Sequence, residues 1–147
     1  MLTLTSPAFE HGGTIPKQYT CDGDNVNPEL RIAGIPEAAR SLALVMEDPD
    51  APVGTFTHWI VWNIPPSTSQ ITVGVKGLGT EGTTSFGRTG YGGPCPPPGK
   101  KHRYYFKVYA LDTMLELLTS GANKSQLELG IEHHLLAVAE LTGLYGR

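Results

Sequence analysis

Apolar and polar positions alternate in some parts of this chain, run on in others and stop abruptly elsewhere, and each habit predicts a different element. Leu2 to Thr5 alternates, as a half-buried strand does. Leu30 to Ile35 carries a shorter strand pattern, closed by Gly34 and Pro36. Ser41 to Glu47 (Ser-Leu-Ala-Leu-Val-Met-Glu) is apolar almost throughout, which predicts a strand buried on both faces. Asp48-Pro-Asp-Ala-Pro52 ends it, because proline has no N–H to give to a ladder. Phe56 to Ile64 is rich in aromatic and β-branched residues and predicts the next strand, stopped by Pro65-Pro66. Arg103 to Leu111 is the clearest strand of all, and Leu136 to Tyr145 predicts a last one.

Helical spacing is rare. Asn123 with Gln126 three residues on has the form of a capped helix start. The helix should run to about Leu135, with Leu127, Ile131 and Leu135 on one face. Met114 to Leu118 has helical propensity but is too short to hold a helix alone. Residues 74 to 100 carry no period. They end in Gly93-Pro-Cys-Pro-Pro-Pro-Gly99, which reads as a stiff, ordered wall. Strands and helices do not alternate, so the pattern predicts a mainly β chain, antiparallel in its pairing, with a C-terminal helix.

Length and charge narrow the picture. At 147 residues the chain is expected to form one domain, residues 1–147. A net charge of −3 supplies no basic field for nucleic acid or an anionic membrane, although one local pocket could still hold one phosphate group. The longest apolar run, Leu42 to Met46, is far too short to span a bilayer, so no stable membrane insertion is expected. The start Met-Leu-Thr-Leu-Thr-Ser-Pro has neither a basic region nor a long apolar one, which points to the cytoplasm. In that reducing compartment Cys21 and Cys95 are expected as two free thiols, with a bridge between them as the alternative.

Three places bring polar side chains up against rigid structure: Asp48 and Asp50 after a buried strand, His58 within an aromatic one, and His102-Arg103-Tyr104 beyond the proline-rich stretch. Side chains two apart on a strand share a face. His102, Tyr104, Phe106 and Val108 therefore point one way, and His58 should share its face with Phe56, Ile60 and Trp62. An aromatic face with a few convergent polar groups is the usual make-up of a small-ligand pocket. Taken singly, a histidine among aromatics is an ordinary core residue, and aspartates beside prolines are ordinary turn formers.

Taken in order, these residues resemble a known family. Asp48-Pro-Asp-Ala-Pro52 followed by His58-Trp59, and Gly93-Pro94 followed by His102-Arg103-Tyr104, are similar to the two signatures of the phosphatidylethanolamine-binding proteins, which include Raf kinase inhibitor protein. Tyr19-Thr-Cys-Asp-Gly23, Phe86 to Gly99 and the closing Ala139-Glu-Leu-Thr-Gly-Leu-Tyr145 resemble the bacterial and archaeal YbhB/YbcL branch. One departure is Lys100, where the second signature often has glycine. The turn into His102 is therefore expected to differ, with Lys100 and Lys101 as solvated lysines.

The resemblance implies antiparallel β-sheets in a sandwich-like Greek-key arrangement. It implies a pocket for phosphate or a phosphoethanolamine head group, lined by Asp48, His58, Gly93, Pro94, His102 and Tyr104. Asp50, Pro52 and Arg103 would support the site, and a Cys21–Cys95 disulfide would clamp its wall. It also implies an inhibitor or regulator of a kinase or serine protease, and a homodimer. Chemically, imidazole N–H and tyrosine O–H groups can hold an anion, whereas the Asp48 carboxylate would repel one and suits the orienting of a histidine. No catalytic residue, cofactor or metal is expected. The rival reading is a metal-dependent hydrolase using Asp48, Asp50, His58 and His102. A cysteine nucleophile, Cys95 with His102, lacks a helix N-terminus to activate it.

Overall fold

The computed structural model describes all 147 residues. Two antiparallel sheets and one helix lie in three layers. The smaller sheet has the order β1–β2–β5, built from Thr3–Thr5, Leu30–Ala33 and Gln70–Ile71. The larger has the order β6–β4–β3–β7–β8, where β3 is Ser41–Asp48, β4 Phe56–Ile64, β6 Thr80–Glu81, β7 His102–Leu111 and β8 Leu135–Tyr145. The helix α1, Lys124–Ile131, covers the far face of the larger sheet.

The unbroken apolar run of β3 now has its reason. Leu42, Leu44 and Met46 point into the core shared with Leu4, Leu30 and Ile32 of the smaller sheet. Ala43 and Val45 point the other way, into a second core with Leu127 and Ile131 of α1. Both faces are dry, so every residue of β3 is buried. Strand β7, by contrast, buries every second residue through most of its length, as one covered face requires.

The helix starts where the sequence predicts and stops early. Asn123 Oδ1 accepts the Gln126 N–H while Gln126 Oε1 accepts the Asn123 N–H, a complete capping box. The helix ends at Ile131, not near Leu135. Gly130 is a poor helix former, and His133 takes φ 70°, a left-handed conformation that turns the chain back. Leu135 then pairs with Leu111 as the first residue of β8, and its side chain is exposed rather than on a buried helix face.

The cysteines decide between two expectations. Cys21 and Cys95 form a disulfide, as the resemblance implies, and are not the two free thiols expected of a reducing compartment. Spacing alone could not reveal this, because 74 residues separate the pair and only the fold brings the two loops together.

Candidate functional site

A cavity of about 260 Å³ opens at the end of β3 and β7. Its polar floor is Asp48, His58, His102 and Tyr104, and its rim is apolar, from Pro52 and Val53 to Phe86 and Pro97. Asp48 is the last residue of β3, and Pro49 forces the chain out of the ladder there. One oxygen of Asp48, Oδ1, accepts the Asp50 N–H at 2.7 Å and closes the turn. The other, Oδ2, accepts from His102 Nδ1 at 2.7 Å. Asp48 and His102 are both buried, with side chains 4% and 8% exposed, so this pair is shielded from water.

His58 arrives by a different route. The β3–β4 ladder pairs Met46 with Trp59 but Glu47 with Thr57, so His58 is the extra residue of a β-bulge. The bulge re-aims its ring. His58 lies against Tyr104, Phe56 and Phe86, at centroid distances of 5.3, 5.0 and 5.3 Å. Ile60 and Trp62 belong to the opposite core, under α1. The simple alternation that grouped His58 with Ile60 and Trp62 is therefore corrected: only Phe56 stays beside it.

His58 Nδ1 lies 2.7 Å from the Gly92 carbonyl oxygen. A carbonyl can only accept, so Nδ1 carries the proton. Burial lowers the pKa of His58, against the opposing pull of the Gly92 carbonyl and the Asp48 charge. Burial, and after it the charge of Asp48, raise the Tyr104 phenol well above the tyrosine range, so it keeps its O–H at any ordinary pH.

The expected residues do not all meet at the cavity. Gly93 and Pro94 stand behind the wall, and Cys95, Pro96 and Pro97 supply its surface. The Gly93 N–H is held by Asn25 Oδ1 at 2.8 Å, and a Cβ at Gly93 would fall 2.3 Å from the Tyr19 carbonyl oxygen, closer than real Cβ contacts come. The Pro94 carbonyl accepts the Cys21 N–H at 3.1 Å, beside the disulfide. Pro52 does reach the rim. Asp50 instead takes three hydrogen bonds from Arg103, through N, Nε and Nη2 at 2.8–2.9 Å. That guanidinium holds the Asp50 carboxyl down from 3.8 to about 2.

Committed in this way, Asp50 does not join Asp48, His58 and His102, and no group of three such side chains is placed to hold a metal. The four residues of the hydrolase alternative thus do not share a point. Lys100 and Lys101 are exposed on the approach to β7.

Three contributors were not legible in the residues. The Gly92 carbonyl is backbone and carries no residue signature. Phe86 closes the cavity from a glycine-rich loop without period, packed edge-on against Phe56 with centroids 4.8 Å apart. Arg147 reaches back to donate to the Pro96 carbonyl at 2.9 Å and to Asp22 at 3.2 Å, which ties the wall to the loop that carries Cys21.

The family model described as phosphatidylethanolamine-binding protein matches residues 5–146. A UPF0098 protein of Pyrococcus abyssi is 50% identical, over 99% of this chain and 86% of its own length. A UPF0098 protein of Chlamydia muridarum is 45% identical, over 98% of each. Among solved structures, the phosphatidylethanolamine-binding protein homologue CT736 of Chlamydia trachomatis superposes with a TM-score of 0.95 at 42% identity, covering 99% of this chain and 97% of that one. E. coli YbcL, described as a new member of the mammalian PEBP family, gives 0.91 at 31% identity, covering 99% and 98%. With the family match spanning nearly its whole length, the chain belongs to the phosphatidylethanolamine-binding protein family.

Proposed function

We propose that this protein binds a small anion, phosphate or the phosphoethanolamine head group, in the cavity between β3, β4 and β7, and that the occupied site regulates or inhibits a protein target, a kinase or a serine protease. The observation that carries the reading is the matched setting of two imidazoles. His58 and His102 each spend Nδ1 on a fixed partner and leave Nε2 to the cavity, beside the permanent O–H donor of Tyr104. At about 260 Å³ the space suits a head group rather than a whole lipid, since drug-sized ligands occupy upwards of ~300 Å³. The apolar rim of Val53, Phe86 and Pro97 would exclude water around the anion and strengthen each contact.

Hydrogen bonds to charged groups contribute about 1.5–3 kcal/mol. His58→Ala and His102→Ala should therefore each weaken phosphate or phosphoethanolamine binding by about tenfold or more in titration calorimetry. Unchanged affinity in both variants would sink the assignment. The regulatory arm is tested separately, by assaying a panel of serine proteases and kinases with excess protein. Uniform inactivity would remove that arm and leave the binding reading in place.

A further inference from the structure

The hydrogen bonds of the two histidines fix where their protons sit, and this limits what the cavity can take. The Gly92 carbonyl has no hydrogen to give, so Nδ1 of His58 carries one. Asp48 accepts as well, its Oδ1 taking the Asp50 N–H and its Oδ2 facing His102, so Nδ1 of His102 carries one. In the neutral imidazoles both Nε2 atoms are then bare lone pairs. Neither has a protein partner, yet no fully buried side-chain nitrogen or oxygen in the molecule lacks one, so both are reached from the cavity. A fully deprotonated anion entering this space would meet two lone pairs and a carboxylate, with the Tyr104 hydroxyl as its one side-chain donor on the polar floor.

The other charged groups around the site do not relieve this. From β3 and the turn after it come Asp48 and Asp50, the latter neutralised by Arg103 of β7. From β7 come His102 and Tyr104. The Phe86 loop brings Arg88, which stacks on the Phe86 ring. Arg147 is paired with Asp22 and donates to Cys95 Sγ, so its charge reaches Tyr104, but its side chain does not line the cavity. No lysine or arginine lines the cavity.

We propose that the site binds its anion only together with a proton, and so selects oxyanions that can carry one, phosphate and phosphate monoesters, over those that cannot, such as sulfate. This rests on the anion-binding reading above and deepens it. The proton comes from solvent or with the ligand and lies between Nε2 and the facing oxygen. Inorganic phosphate brings one as P–O–H throughout the neutral range, and a phosphate monoester can gain one there, because its second ionisation falls at about pH 6. Sulfate must draw every proton onto the imidazoles, and the burial of His58 opposes that.

The test is titration calorimetry of the full chain with methyl phosphate and inorganic sulfate, between pH 6 and 8, in two buffers of different ionisation enthalpy. Methyl phosphate, a proton-free dianion at pH 8, should take up about one proton per site there, and its affinity should fall by up to ~tenfold per pH unit as pH rises. Sulfate should bind at least ~tenfold more weakly at pH 7. Tyr104→Phe should weaken methyl phosphate binding while keeping the proton uptake, because that hydroxyl never loses its proton. Methyl phosphate binding with no proton uptake and no pH dependence, or equal affinity for the two anions, overturns this inference alone. Failure of both anions to bind overturns the anion reading itself, and this inference with it.

Discussion

Asp50 shows how much of this site is held by side chains that never face it. Its carboxylate accepts the Arg103 backbone N–H and two guanidinium N–H groups, which fixes the first residues of β7 against the turn after β3. His102 and Tyr104 flank Arg103 and inherit that placement. Because its folded pKa is depressed, the stabilisation is full above the ordinary 3.8 and is lost as pH falls toward about 2. Asp50→Asn should therefore be less stable than the parent at pH 6, and most of the gap should be gone at pH 2. Urea melts at the two pH values would show it, and a gap that persists undiminished at pH 2 would refute the account. The residue scale was also where the sequence was most legible. Asp48, His58, His102 and Tyr104 all line the cavity; singly each read as an ordinary turn or core residue, and only their order along the chain set them apart. Nothing set the Gly92 carbonyl apart, because every residue has one and only the fold selects which is used.

At the scale of elements, local chemistry decided where things begin better than where they end. The capping box of α1 is written in Asn123 and Gln126. The end depended on His133 adopting a left-handed turn, which few side chains favour and no periodicity announces. Asn123→Ala should cost about 1 kcal/mol of stability, read from the urea midpoint, with ligand affinity unchanged because α1 covers the face of the sheet away from the cavity. The face of His58 failed for a related reason. Alternation assumes one residue opposite one, and the bulge places Thr57 and His58 within the span of a single step on β3. The strand was right and its arithmetic was off by one residue at the one position that mattered to the pocket.

Across the whole molecule, the cavity wall is a composite of distant segments. Residues near 21, 95 and 147 converge there through the disulfide, the Arg147 side chain and the bond from Tyr145 to Asp22. Apart from the disulfide, which the resemblance implies, these contacts were the least legible, since they join loops whose sequences carry no period. Closing a loop of 74 residues' separation restricts the unfolded chain by about 4 kcal/mol in the chain-entropy account. The double variant Cys21→Ser, Cys95→Ser should accordingly melt on the order of 10 °C lower by calorimetry. A melting point unchanged within error would mean that Arg147 and the loop hydrogen bonds hold the wall without help.

The bulge at His58 has one more implication, for anyone who would redesign this protein. A pocket is ordinarily rewritten by exchanging side chains, but here the reading frame of a strand is itself a design variable. Removing a single residue at 57 or 58 would let the ladder close and leave no extra residue to turn inward. Such a deletion edits which side chains the cavity receives without altering the chemistry of any of them. A gap opened there in an aligned relative would signal a different pocket even where every named histidine survives.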